Sequence, residues 1–336
     1  MQLIRGTSLS GLTDLLGQLG GDPHALLRAV GIPASSVGRQ DRFVPLLPFV
    51  RAFEAAAAIT GRPDFGRLVA QTQGIEILGP VGVAARTAAN VADALTILER
   101  YLTAFSPGLA VRLQSTEVKE LVFFEFAFLD DDLGAVAQST EFSLGVSLRV
   151  LRSLMGHRFT PAAVHLPHDP LTPSSDYRRY YGCRPLFAQP ASGFTLSAAD
   201  LQRPMSYDRL AHEAVLAYLA TFTDPDDSAD GSALRSVRVL AGQLLPTGTT
   251  TLPVIARQLG THPKALQRRL SAEGTTFGEI IDGMRRERTD NLLRNTNVPL
   301  SQLARDLGYA EHSVLTRSCR RWFGCPPAEY RRRHKP

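Results

Sequence analysis

The spacing of apolar residues predicts helices at the start of the chain, a mixed region in the middle and helices again at the end. Residues 1–105 read mostly as helices. Within them Ala94, Leu95, Leu98 and Leu102 share one helical face, and Asn90 with Asp93 three positions on suits the start of that helix. Between 108 and 129 the period shortens toward strands, first over 109–114 and then over 120–129 with its four phenylalanines. A helix over 136–155 follows, and short strands near 163–166, 185–187 and 194–196 lie among Pro, Gly and Tyr. The pattern predicts an α+β domain with a small antiparallel sheet.

A further helix over 207–222 leads into Thr-Asp-Pro-Asp-Asp-Ser-Ala-Asp-Gly-Ser at 223–232, which is nearly devoid of apolar residues and reads as a linker. Beyond it, 233–336 is Arg-rich and helical, so domains at 1–222 and 233–336 are expected. A length of 336 residues suits two domains.

The last segment contains an internal repeat. Leu252-x-x-Ile255-Ala256-x-x-Leu259-Gly260 recurs 48 residues later as Leu300-x-x-Leu303-Ala304-x-x-Leu307-Gly308. Leucine and isoleucine at i, i+3 and i+7 form the stripe by which a first helix packs. A small Ala lets a second helix approach, and Gly permits the left-handed backbone that ends the helix. Each copy feeds a second basic helix, with Leu266 and Arg269 matched at the same offset to Val314 and Arg317. Thr261 is placed to cap the first of these and Pro263 to occupy its first turn. The alternative, a plain bundle with accidental similarity, does not account for the charge.

From residue 233 onward there are 18 Lys and Arg against 8 Asp and Glu, a balance of +10, whereas the preceding residues carry −5. Removing the terminal basic run at 331–335 still leaves +6. A basic half joined to a mildly acidic one points to a polyanionic partner. The overall composition, 44% hydrophobic and 21% charged, is that of a globular protein. No apolar run approaches the roughly 20 residues that span a bilayer, and the first residues lack the order of a signal peptide. Cys183, Cys319 and Cys325 have no paired spacing, which argues against a disulfide framework or a zinc site and for a cytoplasmic setting.

The C-terminal stretch resembles the DNA-binding domain of AraC-family transcription regulators. The residues are Ala304-x-x-Leu307-Gly308-Tyr309, Ser313, Arg317, Arg321-Trp322-Phe323-Gly324 and Pro326-Pro327-x-x-Tyr330-Arg331, preceded by Leu266-Gln267-Arg268-Arg269-Leu270 and Gly274-x-x-Phe277. The first half is similar to the VirS/OruR-like subgroup through Ile77-Leu78-Gly79-Pro80-Val81-Gly82, Arg100-Tyr101-Leu102 and Tyr181-Gly182-Cys183. Leu315 and Cys319 stand where the family usually has Phe, and Thr289 where its connecting helix carries Ala. The resemblance implies a bacterial, nucleoid-associated regulator, often an activator. Its first domain binds a small-molecule effector or dimerises, and its second is an all-α double helix-turn-helix. Promoter DNA, RNA polymerase and a second copy of the chain are the implied partners, with a monomer as the other state. The founding member's effector domain is a β-rich cupin barrel. The helix-rich start here does not read as one, so its sugar pocket is not carried over. A first domain that only dimerises or binds a protein, and an enzyme fused to a DNA-binding domain, are the competing readings.

A recognition helix shows the major groove the face opposite its packing stripe. In the first, 261–273, Leu266 and Leu270 face inward, leaving Lys264, Gln267 and Arg268 for bases and Ser271 for a phosphate. In the second, 310–323, Leu315 and Cys319 face inward. That leaves His312, Ser313 and Arg317 for bases and Thr316, Arg320 and Arg321 for phosphates. The resemblance places both helices on one monomer, joined by a helix from about Phe277 to Asn295. Trp322 reads as a core anchor rather than a base stacker.

Other chemistry is weaker. No phosphate-binding glycine loop is present, and Gly79–Gly82 reads as a turn. The spacing of His157, His165 and His168 does not converge on a metal, Asp130 to Asp132 reads as a solvated loop, and no catalytic group or cofactor is indicated. On the Phe-rich strand, Phe124, Phe126 and Phe128 project one way and Phe123, Glu125 and Ala127 the other. This is either a buried core strand or one wall of an effector pocket, with Glu125 or Arg86 orienting a polar group.

Overall fold

The computed structural model describes residues 2–40, 42–130, 132–220, 233–245, 250–259, 261–296, 298–309 and 311–334. The expected linker at 223–232 lies outside the described residues. The chain divides into two compact units, Met1–Ala229 and Asp230–Pro336.

The first unit begins with an element the periodicity missed. Strand β1 (Leu3–Arg5) pairs antiparallel with β2 (Phe43–Pro45), each of three residues. Helices α1 (Leu12–Gln18) and α2 (Pro23–Val30) lie between them, and α3 (Leu46–Thr60), α4 (Phe65–Ala70), α5 (Gly79–Arg86) and α6 (Val91–Phe105) follow. Asn90 caps α6 as expected, accepting from the Asp93 amide at 2.8 Å. Gly79–Gly82 is not a turn: it opens α5, with Pro80 in the first helical turn, where its missing N–H costs nothing.

A five-stranded sheet is built from β3 (Leu109–Ser115), β4 (Leu121–Phe128), β5 (Ala163–His165), β6 (Arg184–Leu186) and β7 (Ser192–Ser197), in the order β3-β4-β7-β5-β6. It is open, with β3 and β6 at its edges. It is not wholly antiparallel: β5 and β6 run parallel. The reason is α8 (Ser174–Tyr181), a helix the sequence reading missed, which carries the chain back to the starting end of the sheet. The remaining helices are α7 (Ala137–Met155), α9 (Ala198–Leu201) and α10 (Arg209–Ala220).

Helix α7 runs through the core, and Phe142, Leu144, Leu148 and Leu151 are buried at 3% exposure or less. It meets α4 at close range. A side chain at Gly66 would fall 2.1 Å from the Gln138 carbonyl oxygen, and one at Gly145 would fall 2.6 Å from Ala70 Cβ. Only glycine permits this approach.

The close approach encloses charge. Glu141 on α7 is fully buried, with Arg67 Nε of α4 at 3.2 Å. Tyr177 of α8 donates its hydroxyl to the Glu141 carboxylate, and the Arg67 guanidinium lies 4.1 Å from the Tyr177 ring. Burial raises the Glu141 carboxyl to about 7, against the opposing pull of Arg67 and the Tyr177 hydroxyl. Burial also lowers His168, whose Nε2 lies 3.9 Å from Glu141.

The second unit comprises α11 (Ala233–Leu244), α12 (Leu252–Gln258), α13 (Pro263–Ala272), α14 (Phe277–Asn295), α15 (Leu300–Asp306), α16 (His312–Phe323) and α17 (Pro327–His334). It is all helical among the described residues.

A native carboxyl held above its unfolded value binds more protons when folded, so its contribution favours the folded state at low pH and is lost as pH rises. Wild type should therefore lose stability relative to Glu141→Gln as pH rises from about 4.5 to about 7. Urea denaturation of both proteins across that range measures the difference.

Candidate functional site

The two copies of the repeat fold alike. Helices α12 and α15 have seven residues each, and Ile255, Ala256, Leu259, Leu303, Ala304 and Leu307 are buried at 3% exposure or less. Gly308 has φ of +71°, the left-handed turn expected after α15, while Gly260 lies outside the described residues. The inward stripes are also as expected, since Leu266, Leu270, Leu315 and Cys319 are all buried. Burial pushes the Cys319 thiol up to about 12, so it packs as a neutral apolar group.

Two details of the repeat need correction. Thr261 is not the cap of α13: His262 is, with its Nδ1 accepting from the Lys264 amide at 3.3 Å. The Thr261 amide instead donates to the Ala256 carbonyl, closing the end of α12. The second helices also match at 49 residues, not 48. The cap before α16 is Glu311, because the second turn is one residue longer than the first, and Ala310 within it lies outside the described residues. Leu266 and Leu270 therefore correspond to Leu315 and Cys319, and Arg268, not Arg269, corresponds to Arg317.

On the outward faces Lys264, Gln267, Arg268 and Ser271 are exposed on α13, and Ser313, Arg317 and Arg320 on α16. Thr316 is half-buried, and the His312 side chain lies outside the described residues. Among the described residues Lys264, Arg268, Arg317 and Arg320 make no ion pair. Ser313 donates to the Glu311 carboxylate at 3.0 Å. Arg321 is exposed but paired with Asp282 of α14, and the half-buried Trp322 donates its indole N–H to the same carboxylate at 2.9 Å. Trp322 thus ties α16 to α14.

Helix α14 spans the limits expected for a connecting helix. A capping box starts it, with the Thr276 amide donating to Glu279 at 2.8 Å and the Glu279 amide to Thr276 at 3.3 Å. Buried Thr289 replaces the family's Ala without leaving its hydroxyl unpaired, since it donates to the Arg285 carbonyl at 2.6 Å. Arg285 itself donates to the Leu307 carbonyl at 3.0 Å, a cation at the C-terminal end of α15.

In the first unit, Phe124 and Phe126 are buried and line a partly open cavity of about 70 Å³. The other residues proposed for that pocket are elsewhere. Phe128 packs edge-on to Phe126 at 5.2 Å without lining the cavity. Glu125 points to the opposite face, where Gln114 donates to it at 2.7 Å and Arg112 lies at 3.6 Å. Arg86 is exposed in the last turn of α5. The cavity is completed by residues the sequence reading did not place there: Arg5 of β1, Leu98, Leu102 and Phe105 of α6, and Ser143 and Ser147 of α7. The signal was serine recurring every fourth residue at 139, 143 and 147, one face of a helix whose other positions carry Phe142, Leu144, Leu148 and Leu151.

Comparison with known proteins decides the family. The arabinose-binding domain of AraC transcription regulator, N-term, matches residues 20–205, and the helix-turn-helix domain matches residues 255–333. The chain belongs to the AraC family of transcription regulators. The HTH-type transcriptional regulator VirS of Mycobacterium tuberculosis (strain ATCC 25618 / H37Rv) is 39% identical over 332 residues, covering 98% of this chain and 96% of the relative. The ornithine utilization regulator of Pseudomonas aeruginosa is 26% identical over 337 residues, covering 95% of this chain and 94% of its own. Among solved structures, the transcriptional regulator CdpR from Pseudomonas aeruginosa aligns with a TM-score of 0.45 at 22% identity, over 92% of this chain and 96% of that one. This AraC-family regulator is a sequence-specific DNA-binding protein with an N-terminal effector domain and a C-terminal helix-turn-helix domain.

Gly308→Ala should cost about 1–2 kcal/mol, because a Cβ in the left-handed region clashes with its own backbone. A lowered thermal midpoint, with the helical circular dichroism of the folded protein retained, is the expected result.

Proposed function

We propose that α13 and α16 enter successive major grooves of one promoter duplex. Lys264, Gln267 and Arg268 read bases in the first groove, and His312, Ser313 and Arg317 in the second. The observation that carries this is the equivalence of Arg268 and Arg317: both are exposed, both lack an ion pair among the described residues, and both stand two positions after the first buried leucine of their helix. A guanidinium free of carboxylates can donate bidentately to guanine O6 and N7, which discriminates by about 1–3 kcal/mol. Gln267 has the matching geometry for adenine N6 and N7.

Ser271, Thr316 and Arg320 supply phosphate contacts, which set position rather than sequence. Arg321 is the weaker phosphate ligand, because Asp282 already holds it. Two grooves on one face of a duplex lie about 34 Å apart, and bending of the DNA would bring both within reach. The chain runs from one domain to the other through 223–232, and a small molecule held in the first unit adjusts activation at promoters where the chain, as monomer or homodimer, contacts RNA polymerase.

Arg317→Ala and Arg268→Ala should each weaken specific binding by about 1–3 kcal/mol and relax preference at one base position. Arg320→Ala should weaken all sequences alike and reduce the salt slope by about one. Binding titrations across salt concentrations, with footprinting on promoter fragments, separate the two outcomes. Unchanged preference in both arginine variants overturns the assignment.

A further inference from the structure

The cavity of the first unit carries a chemical signature beyond its size. Its walls are mostly apolar, with Leu98, Leu102 and Phe105 on one side and Phe124, Phe126 and Phe142 on the others. Into this surface α7 places two hydroxyls, Ser143 and Ser147, at 6% and 9% exposure. Being four residues apart, they lie on the same helical face.

Serines elsewhere on α7 behave differently. Ser139 donates to the Val136 carbonyl at 3.0 Å and Ser153 to the Val150 carbonyl at 2.7 Å, the usual local solution for a helical hydroxyl. Among the described residues neither the Ser143 nor the Ser147 hydroxyl makes a hydrogen bond. Ser8 of the same lining, at 7% exposure, likewise makes none with its hydroxyl. None of these oxygens is sealed from solvent, so water or the oxygen of a bound molecule can pair with them.

Charge in the cavity is already committed. Arg5 lines it, but its guanidinium donates to the backbone carbonyls of Phe105 and Gln40 and lies 3.8 Å from the centre of the Phe105 ring and 4.7 Å from that of Phe43. It braces the wall rather than awaiting an anion. The pocket is partly open to solvent, with an interior of about 70 Å³ that admits water.

We propose that this cavity binds a small, uncharged, mostly apolar molecule carrying a hydroxyl or carbonyl oxygen that Ser143 and Ser147 hold. The proposal rests on the effector reading of the first unit and names the chemistry of its ligand. Apolar contact supplies the affinity. The serine pair sets the orientation and rejects ligands lacking the oxygen, because those leave both hydroxyls unpaired.

Phenol, toluene and benzoate test this with the full-length protein. The first two are nearly isosteric and differ by the oxygen, and the third carries a charge. Calorimetric titration of wild type should show phenol binding at least about fivefold more tightly than toluene, and benzoate not binding. In the Ser143→Ala/Ser147→Ala variant the preference for phenol should be lost, since the two hydroxyls that hold its oxygen are gone while the apolar walls remain. Toluene binding as well as phenol to wild type, benzoate binding more tightly than either, a retained phenol preference in the variant, or no binding of any probe each overturns the proposal. The wild-type comparison stands alone if the variant does not fold. The effector reading is scored separately, by the effect of saturating phenol on promoter affinity. Selective binding that leaves promoter affinity unchanged sinks the effector role and keeps the site.

Discussion

Helix α14 belongs to both halves of the DNA-binding unit, and the spacing of the two reading helices depends on that sharing. Near its start Ile281 packs with Ala241 and Leu245 of the first half. Near its end Leu293 packs with Leu303, Leu307, Leu315 and Cys319 of the second. At 1.5 Å per residue, 19 helical residues span about 28 Å, comparable to the distance between successive grooves. Truncating a fully buried leucine costs about 2–5 kcal/mol, whereas an exposed ion pair contributes about 0–1 kcal/mol. The apolar contacts therefore hold α14 in place. Its polar contacts set orientation: Asp282 to Trp322, Arg285 to the Leu307 carbonyl, and Asp290 to the Tyr330 hydroxyl at 2.5 Å.

Much of this unit could be read before folding because its determinants are local. The stripes Leu266–Leu270 and Leu315–Cys319 and the glycine after α15 follow from spacing along one helix, and the limits of α14 follow from the family resemblance. The extra residue in the second turn escaped notice because Leu266 and Val314, both apolar, align at the repeat's own offset. Burial breaks the tie. Leu315 is buried, and Val314 only partly so.

The first unit was harder to read for the opposite reason. Strands β1 and β2 are three residues long and pair across about forty positions, so no periodicity marks them. The parallel pairing of β5 and β6 depends on α8, whose Ser-Ser-Asp-Tyr-Arg-Arg-Tyr-Tyr sequence has little apolar face. Tyr177 and Tyr181 are nevertheless buried, and Tyr177 meets Glu141 and Arg67 across the core. The Phe-rich strand was legible as a wall. Its partners in the cavity, Arg5, Leu102 and Ser147, come from three distant segments that only the tertiary fold assembles.

The equivalence of the two modules also bears on the shape of an operator. Where α13 carries Lys264, Gln267, Arg268 and Ser271, α16 carries Ser313, Thr316, Arg317 and Arg320 at the matching positions. Only the central arginine is common to both. On the proposed reading one shared guanine contact stands beside unlike base readers, Lys264 and Gln267 in one helix and His312 and Ser313 in the other, so the two half-sites are expected to differ in sequence. A protein with two identical reading helices would gain from a repeated site, and a symmetric dimer from a palindrome. This chain, with two unlike helices fixed by one connector, suits an asymmetric site with a defined direction along the promoter.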